Sequence, residues 1–106
     1  MRHAEIVDAL SKCITACNYC AQACLEEENV SDMVDCIKSD LICAEVCETT
    51  LNLVTLKSDM AGKMIELCIE DCESCKADCE NHDDDHCKKC ADACGKCIEA
   101  CKSYAA

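Results

Sequence analysis

The chain has 106 residues, sixteen of them cysteine, with no proline, phenylalanine or tryptophan, and a formal net charge of −12. So acidic a chain is a poor partner for nucleic acid or an anionic membrane, and Arg2, His3, Glu5 and Asp8 interrupt the N-terminus before an apolar leader or span could form. Scarce large aliphatics with high net charge ordinarily mark disorder. A buried free cysteine, however, behaves as a small hydrophobe, so residues 1–106 read as one domain with a cysteine core.

The first segment runs Ile6, Leu10, Cys13, Cys17, Cys20, Cys24, alternating steps of four and three, so an apolar helical seam turns into thiols without changing register. A polar break follows from Glu27 to Ser31, with Asn29 suited to end one helix and Ser31 to cap the next. The second segment keeps the seam through Met33, Cys36, Asp40, Cys43, Cys47 and Val54 but sets a carboxylate in one slot. Beside it Val30, Val34, Ile37, Leu41 and Ile42 make a second apolar stripe, readable as lateral packing or as an oligomer interface. After a break at Lys57 to Asp59, with Ser58 the expected cap, the third segment carries Ala61, Ile65, Cys68, Cys72, Cys75, Cys79 and His82. Asn81 and the run Asp83, Asp84, Asp85 separate it from the fourth, where Cys87, Cys90, Cys94, Cys97, Cys101 and Tyr104 repeat the rhythm.

Four helices of about 20 to 27 residues joined by short breaks predict an all-α, antiparallel up-down-up-down four-helix bundle with a cysteine-lined core. In that topology Ile6, Leu10, Leu51, Val54, Met60, Met64, Ile65 and Tyr104 form an apolar plug at one end. Cys24, Met33, Cys36, Cys79, His82, His86 and Cys87 gather at the other, the expected mouth.

Seven cysteine pairs stand at i, i+4, with Cβ atoms about 5 to 6 Å apart, close enough for two sulfurs to share one metal ion. Soft thiolates select Cu(I), which accepts two or three sulfurs. Charge points the same way: four thiolates around Zn(II) leave two buried negative charges per site, whereas Cu(I) bridged by shared thiolates approaches one positive charge per sulfur. The alternatives are a zinc or mixed-metal buffer, and a disulfide-stapled structural or redox scaffold. Disulfides along one helix are strained, and a cytoplasmic setting, the expected one here, keeps thiols reduced. The spacing does not match ferredoxin-type iron–sulfur ligation, and no catalytic constellation or phosphate loop is present, so the chain reads as a non-enzyme. His82 and His86 are either copper-passing rim residues or exposed histidines, and Met33 is either a thioether ligand or core filling. Asp40 is open between a protonated state, a lysine partner and a metal.

The pattern Cys13-x3-Cys17-x2-Cys20-x3-Cys24, repeated at Cys68 to Cys79 and extended at Cys87 to Cys101, resembles the bacterial copper storage proteins, in particular their cytosolic branch. The resemblance implies a bundle holding many Cu(I) ions along its axis and a tendency to homo-oligomerise, a tetramer being the candidate form. By it all sixteen cysteines are candidate ligands, with Met33, His82 and His86 at the mouth, while Asp40 interrupts the seam. Unshared two-sulfur sites would hold about eight ions and bridging thiolates about one per cysteine, and the larger load is expected.

Overall fold

The computed structural model describes residues 2–105. Four helices, α1 (Arg2–Leu25), α2 (Val34–Thr55), α3 (Ala61–Glu80) and α4 (Asp85–Ala105), account for nearly all of them, with a 3-10 turn at Val30–Met33 and no strand among the described residues. Each helix packs against two neighbours, α1 on α2 and α4, and α3 on α2 and α4. The result is a square antiparallel bundle of 44 × 18 × 18 Å, a width that suits axes about 8–10 Å apart. No described helix is long and apolar enough to cross a membrane.

The seam forecasts the interior closely. Ile6, Leu10 and all sixteen cysteines are buried, as are Val54 and Ile65 at the plug end. The plug is narrower than expected, because Met60 lies in the connection before α3 and is 65% exposed, while Leu51, Met64 and Tyr104 are only half-buried. Thr50 takes the seam slot between Cys47 and Val54, where its hydroxyl donates to the Val46 carbonyl at 2.7 Å and leaves a methyl group for the core.

Two junction details differ from the sequence reading. Ser31 caps nothing: the chain enters α2 through the 3-10 turn, which buries Met33, and neither Asn29 nor Met33 makes a side-chain capping bond. Ser58 does accept a hydrogen bond, from the Met60 N–H at 3.1 Å, but it organises the turn before α3 rather than the helix itself. Asn81 does end α3, in a right-handed conformation.

At the end of α2, Lys57 adopts φ 54 so that its N–H reaches the Val54 carbonyl at 3.1 Å and the Ser58 N–H reaches Leu53 at 3.0 Å. A left-handed residue closes helix ends well, but a side chain there is strained where glycine is not. Lys57→Gly is expected to stabilise the metal-free chain by about 0.5–1 kcal/mol, the relief of strain exceeding the entropy glycine adds to the unfolded chain. A rise in urea midpoint at constant slope would register it, and a fall would show that Lys57 contributes an interaction worth more than the strain.

Candidate metal centre

Sulfur from all four helices converges on the bundle axis. At its lower middle the column holds two fused triangles of sulfur. Cys43, Cys47 and Cys72 form a triangle with sides of 3.9, 3.8 and 3.9 Å. Cys68 completes a second triangle on the shared Cys47–Cys72 edge, with sides of 3.9 and 4.0 Å. With metal–sulfur bonds of about 2.3 Å, a three-coordinate ion at the centre of three sulfurs requires them about 4.0 Å apart, whereas a linear two-coordinate ion requires about 4.6 Å. The spacing therefore already suits trigonal thiolate sites, and linear ones need the pair to open by about 0.6 Å. Cys13–Cys17 at 4.0 Å and Cys20–Cys24 at 3.9 Å repeat the distance on α1.

Higher up, α1 meets α4 through Cys13–Cys94 at 3.9 Å, Cys17–Cys90 at 3.7 Å and Cys20–Cys87 at 3.9 Å, while Cys36 and Cys79 join α2 to α3 at 3.5 Å. All sixteen thiols are free, and even this shortest separation is far from the bond length of about 2.04 Å in a disulfide.

Five four-membered ligand groups, in each of which the donor atoms lie within 4.8 Å of one another, form an unbroken chain. From the mouth they are Cys20, Cys24, His86 and Cys87; then Cys20, Asp40, Cys79 and Cys90; Cys17, Cys75, Cys90 and Cys94; Cys13, Cys17, Cys43 and Cys94; and Cys13, Cys47, Cys72 and Cys97. Each group shares a cysteine with the next, and the last draws one sulfur from every helix. At the base Cys68, Cys97 and Cys101 are fully buried in the same core cluster. From Cys87 to Cys101 the column runs about 21 Å at 1.5 Å per residue, within the 44 Å bundle.

The mouth brings together most of its expected members. His86 Nδ1 lies 3.5 Å from Cys20, 3.5 Å from Cys87 and 3.8 Å from Cys24. Met33 is fully buried in the core beside this end. His82 is placed differently: it lines an outer groove between α3 and α4 with Lys76, Glu80 and Lys88. Burial pushes the Cys24 thiol up to about 11 and raises that of Cys87, so both carry their protons at neutral pH when the site is empty.

Asp40 is fully buried, and its partners are thiols rather than a lysine. Cys90, Cys75 and Cys79 donate to Oδ1 at 3.2, 3.4 and 3.5 Å, and Cys36 donates to Oδ2 at 3.8 Å. Desolvation pushes its carboxyl up to about 10, so it is neutral at pH 7. Just below, Asp71 presents a buried Oδ2 with no hydrogen-bond partner, and burial raises this carboxyl too. Asp71 carries no signal in the sequence, because it stands one step off the seam where a helix usually meets water. Nearer the mouth Ser39 Oγ donates to Asp78 Oδ2 and ties α2 to α3.

The fold and the sulfur column define a thiolate metal-binding bundle. A family model described as copper storage protein matches residues 1–106, and the chain belongs to that family, one of storage rather than catalysis. The Cu(I)-bound copper storage protein BsCsp3 superposes with a TM-score of 0.94 at 36% identity, covering 100% of both chains. A copper-loaded cytosolic copper storage protein from Streptomyces lividans, holding five coppers, gives 0.94 at 31% identity over 98% of this chain and 92% of that one. The uncharacterized cysteine-rich protein YhjQ of Bacillus subtilis is 38% identical over 68 residues, 64% of this chain and 63% of that protein, so the match spans less than two thirds of either.

Proposed function

We propose that this chain is a non-enzymatic store of multiple Cu(I) ions in the cytoplasm, held by thiolates along the axis of a single domain spanning residues 1–106. The observation that carries the reading is the unbroken chain of ligand groups with shared cysteines, because sharing is what lets monovalent ions outnumber separate two-sulfur sites. Each arriving Cu(I) displaces a thiol proton, so one positive charge leaves as one enters and the buried column stays near neutrality as it fills. The likeness to the copper-bound BsCsp3 and to the cytosolic Streptomyces protein supports both the metal and the compartment. All sixteen cysteines act as ligands, with His86 and Met33 at the mouth. His82 serves as an outer rim residue that meets copper before the column does.

Val34, Leu41 and Ile42 on α2 are 43%, 49% and 54% exposed, and Val30 just before the helix is 38% exposed, an apolar stripe that lateral packing leaves uncovered. It supports a homo-oligomer, with the tetramer as the candidate form. One anaerobic experiment reads load and assembly together. Native mass spectrometry during a Cu(I) titration is expected to give a load near one ion per cysteine, about one proton released per ion at pH 7, and a multiple of the chain mass. Saturation near four equivalents would contradict the storage reading.

A zinc or mixed-metal buffer is the second reading, favoured by the quartet Cys13, Cys47, Cys72 and Cys97, whose four sulfurs lie within 4.8 Å of one another, with Cys47–Cys72 at 3.9 Å beside the tetrahedral edge of about 3.8 Å for zinc thiolates. Preferential uptake of Zn(II) over Cu(I) at matched chelator strength would establish it.

A further inference from the structure

The mouth group differs from every deeper one in that its nitrogen ligand is gripped from outside the column. His86 begins the first turn of α4 beside Asp85, and its side chain is only 12% exposed. Its Nδ1 faces the thiols of Cys20, Cys24 and Cys87, and its Nε2 lies 3.1 Å from Oε1 of Glu27, in the loop that follows α1. Glu27 is anchored in turn, its N–H donating to the Cys24 carbonyl at 3.2 Å. Its neighbours Glu26 and Glu28 are exposed, whereas Glu27 is half-buried against the ring.

A neutral imidazole has one N–H and one lone pair, and an ionised carboxylate only accepts hydrogen bonds. The contact with Glu27 therefore requires the proton on Nε2 and leaves the Nδ1 lone pair turned toward three sulfurs. We propose that Glu27 is a positioning residue for copper entry: it holds His86 in the Nε2–H form over the channel, so that incoming Cu(I) meets a preset site of one nitrogen and three sulfurs. The inference rests on the storage reading of the column. Glu27 acts through His86, since its own side chain bonds the ring and no thiol. A carboxylate behind a ligating histidine fixes ring orientation and raises ligand basicity, and its loss typically costs 10- to 100-fold in metal affinity or activity.

The competing explanation is a plain ion pair that ties the end of α1 to the start of α4, and the test separates the two. Wild type, Glu27→Ala, Glu27→Gln, His86→Ala and the Glu27→Ala/His86→Ala double variant are loaded anaerobically with Cu(I) from its bicinchoninate complex. The initial uptake rate is followed together with the imidazole nitrogen NMR signals of the metal-free chains.

Glu27→Ala is expected to slow initial uptake about 10-fold and to lose the fixed Nε2–H signature. Glu27→Gln should retain both, because the amide oxygen accepts the same Nε2–H. The double variant should load no more slowly than His86→Ala alone. The proposal is overturned if Glu27→Ala loads at the wild-type rate, or if it slows the His86→Ala chain further. It is equally overturned if Glu27→Gln is as slow as Glu27→Ala while its ring signature is intact, since charge rather than positioning would then be the cause. Wild-type protein that saturates near four equivalents would instead remove the storage reading, a result the variants cannot mimic.

Discussion

Filling the column with Cu(I) is expected to raise the melting temperature of the chain by about 30 °C or more. A ligand that binds only the folded state stabilises it by RT ln(1 + [L]/Kd), about 4 kcal/mol for each site held at a thousandfold excess over its Kd. Two such sites contribute about 8 kcal/mol, and a domain of this size shifts by about 4 °C or more per kcal/mol. The metal-free reference is itself modest, because the core is built from thiols with few larger side chains: Ile6, Leu10, Met33 and Val54 are its largest fully buried members. Copper held by the group of Cys13, Cys47, Cys72 and Cys97, which draws on all four helices, would also join helices that otherwise only touch. Calorimetry of reduced protein, empty and loaded, gives the measurement, and withdrawal of copper by a strong chelator should restore the lower transition. A melting temperature indifferent to copper would mean that the sulfurs do not hold the metal inside the folded bundle.

The bundle was legible because its signal is periodic and local. Steps of three and four put Cys13 to Cys24, Cys68 to Cys79 and Cys87 to Cys101 on single faces, and in each case the structure buries that face. Antiparallel order followed from the short breaks, and the structure adds which thiols face each other, those of α1 with α4 and those of α2 with α3.

What escaped the sequence depends on partners distant in the chain or on backbone geometry. Glu27 meets His86 across 59 positions, and nothing in the acidic run Glu26 to Glu28 marks the middle residue as the one turned inward. Ser31 had the chemistry of a cap, but the 3-10 turn that buries Met33 moves the start of α2 past it. Thr50 reads as a polar residue until its hydroxyl is seen to bond its own helix. The register of Asp40 was plain, and its state was not, because that depends on four thiols from two other helices and its own.

That state has a large consequence for the metal-free chain. Asp40 titrates at about 10 when folded, against an ordinary value of 3.8, with burial as the leading cause. The unfolded chain therefore releases this proton near pH 4 while the folded chain keeps it, and a group whose folded value is raised contributes stability that is lost as pH rises. Between pH 4 and 7 the loss has a ceiling of about 4 kcal/mol, at about 1.4 kcal/mol per unit. Asp71 is shifted in the same direction by burial and adds to the slope. Asp40→Asn keeps the shape and the neutral charge of the protonated carboxyl, and it cannot ionise in the unfolded chain. It is expected to stabilise the reduced, metal-free protein by about 2–4 kcal/mol at pH 7 and by little at pH 4, leaving only the shallower Asp71 dependence. Urea midpoints across that pH range test the sign as well as the size. A wild-type stability that increased from pH 4 to 7 would require an ionised Asp40 in the folded column, and the copper load would then enter a channel already carrying negative charge.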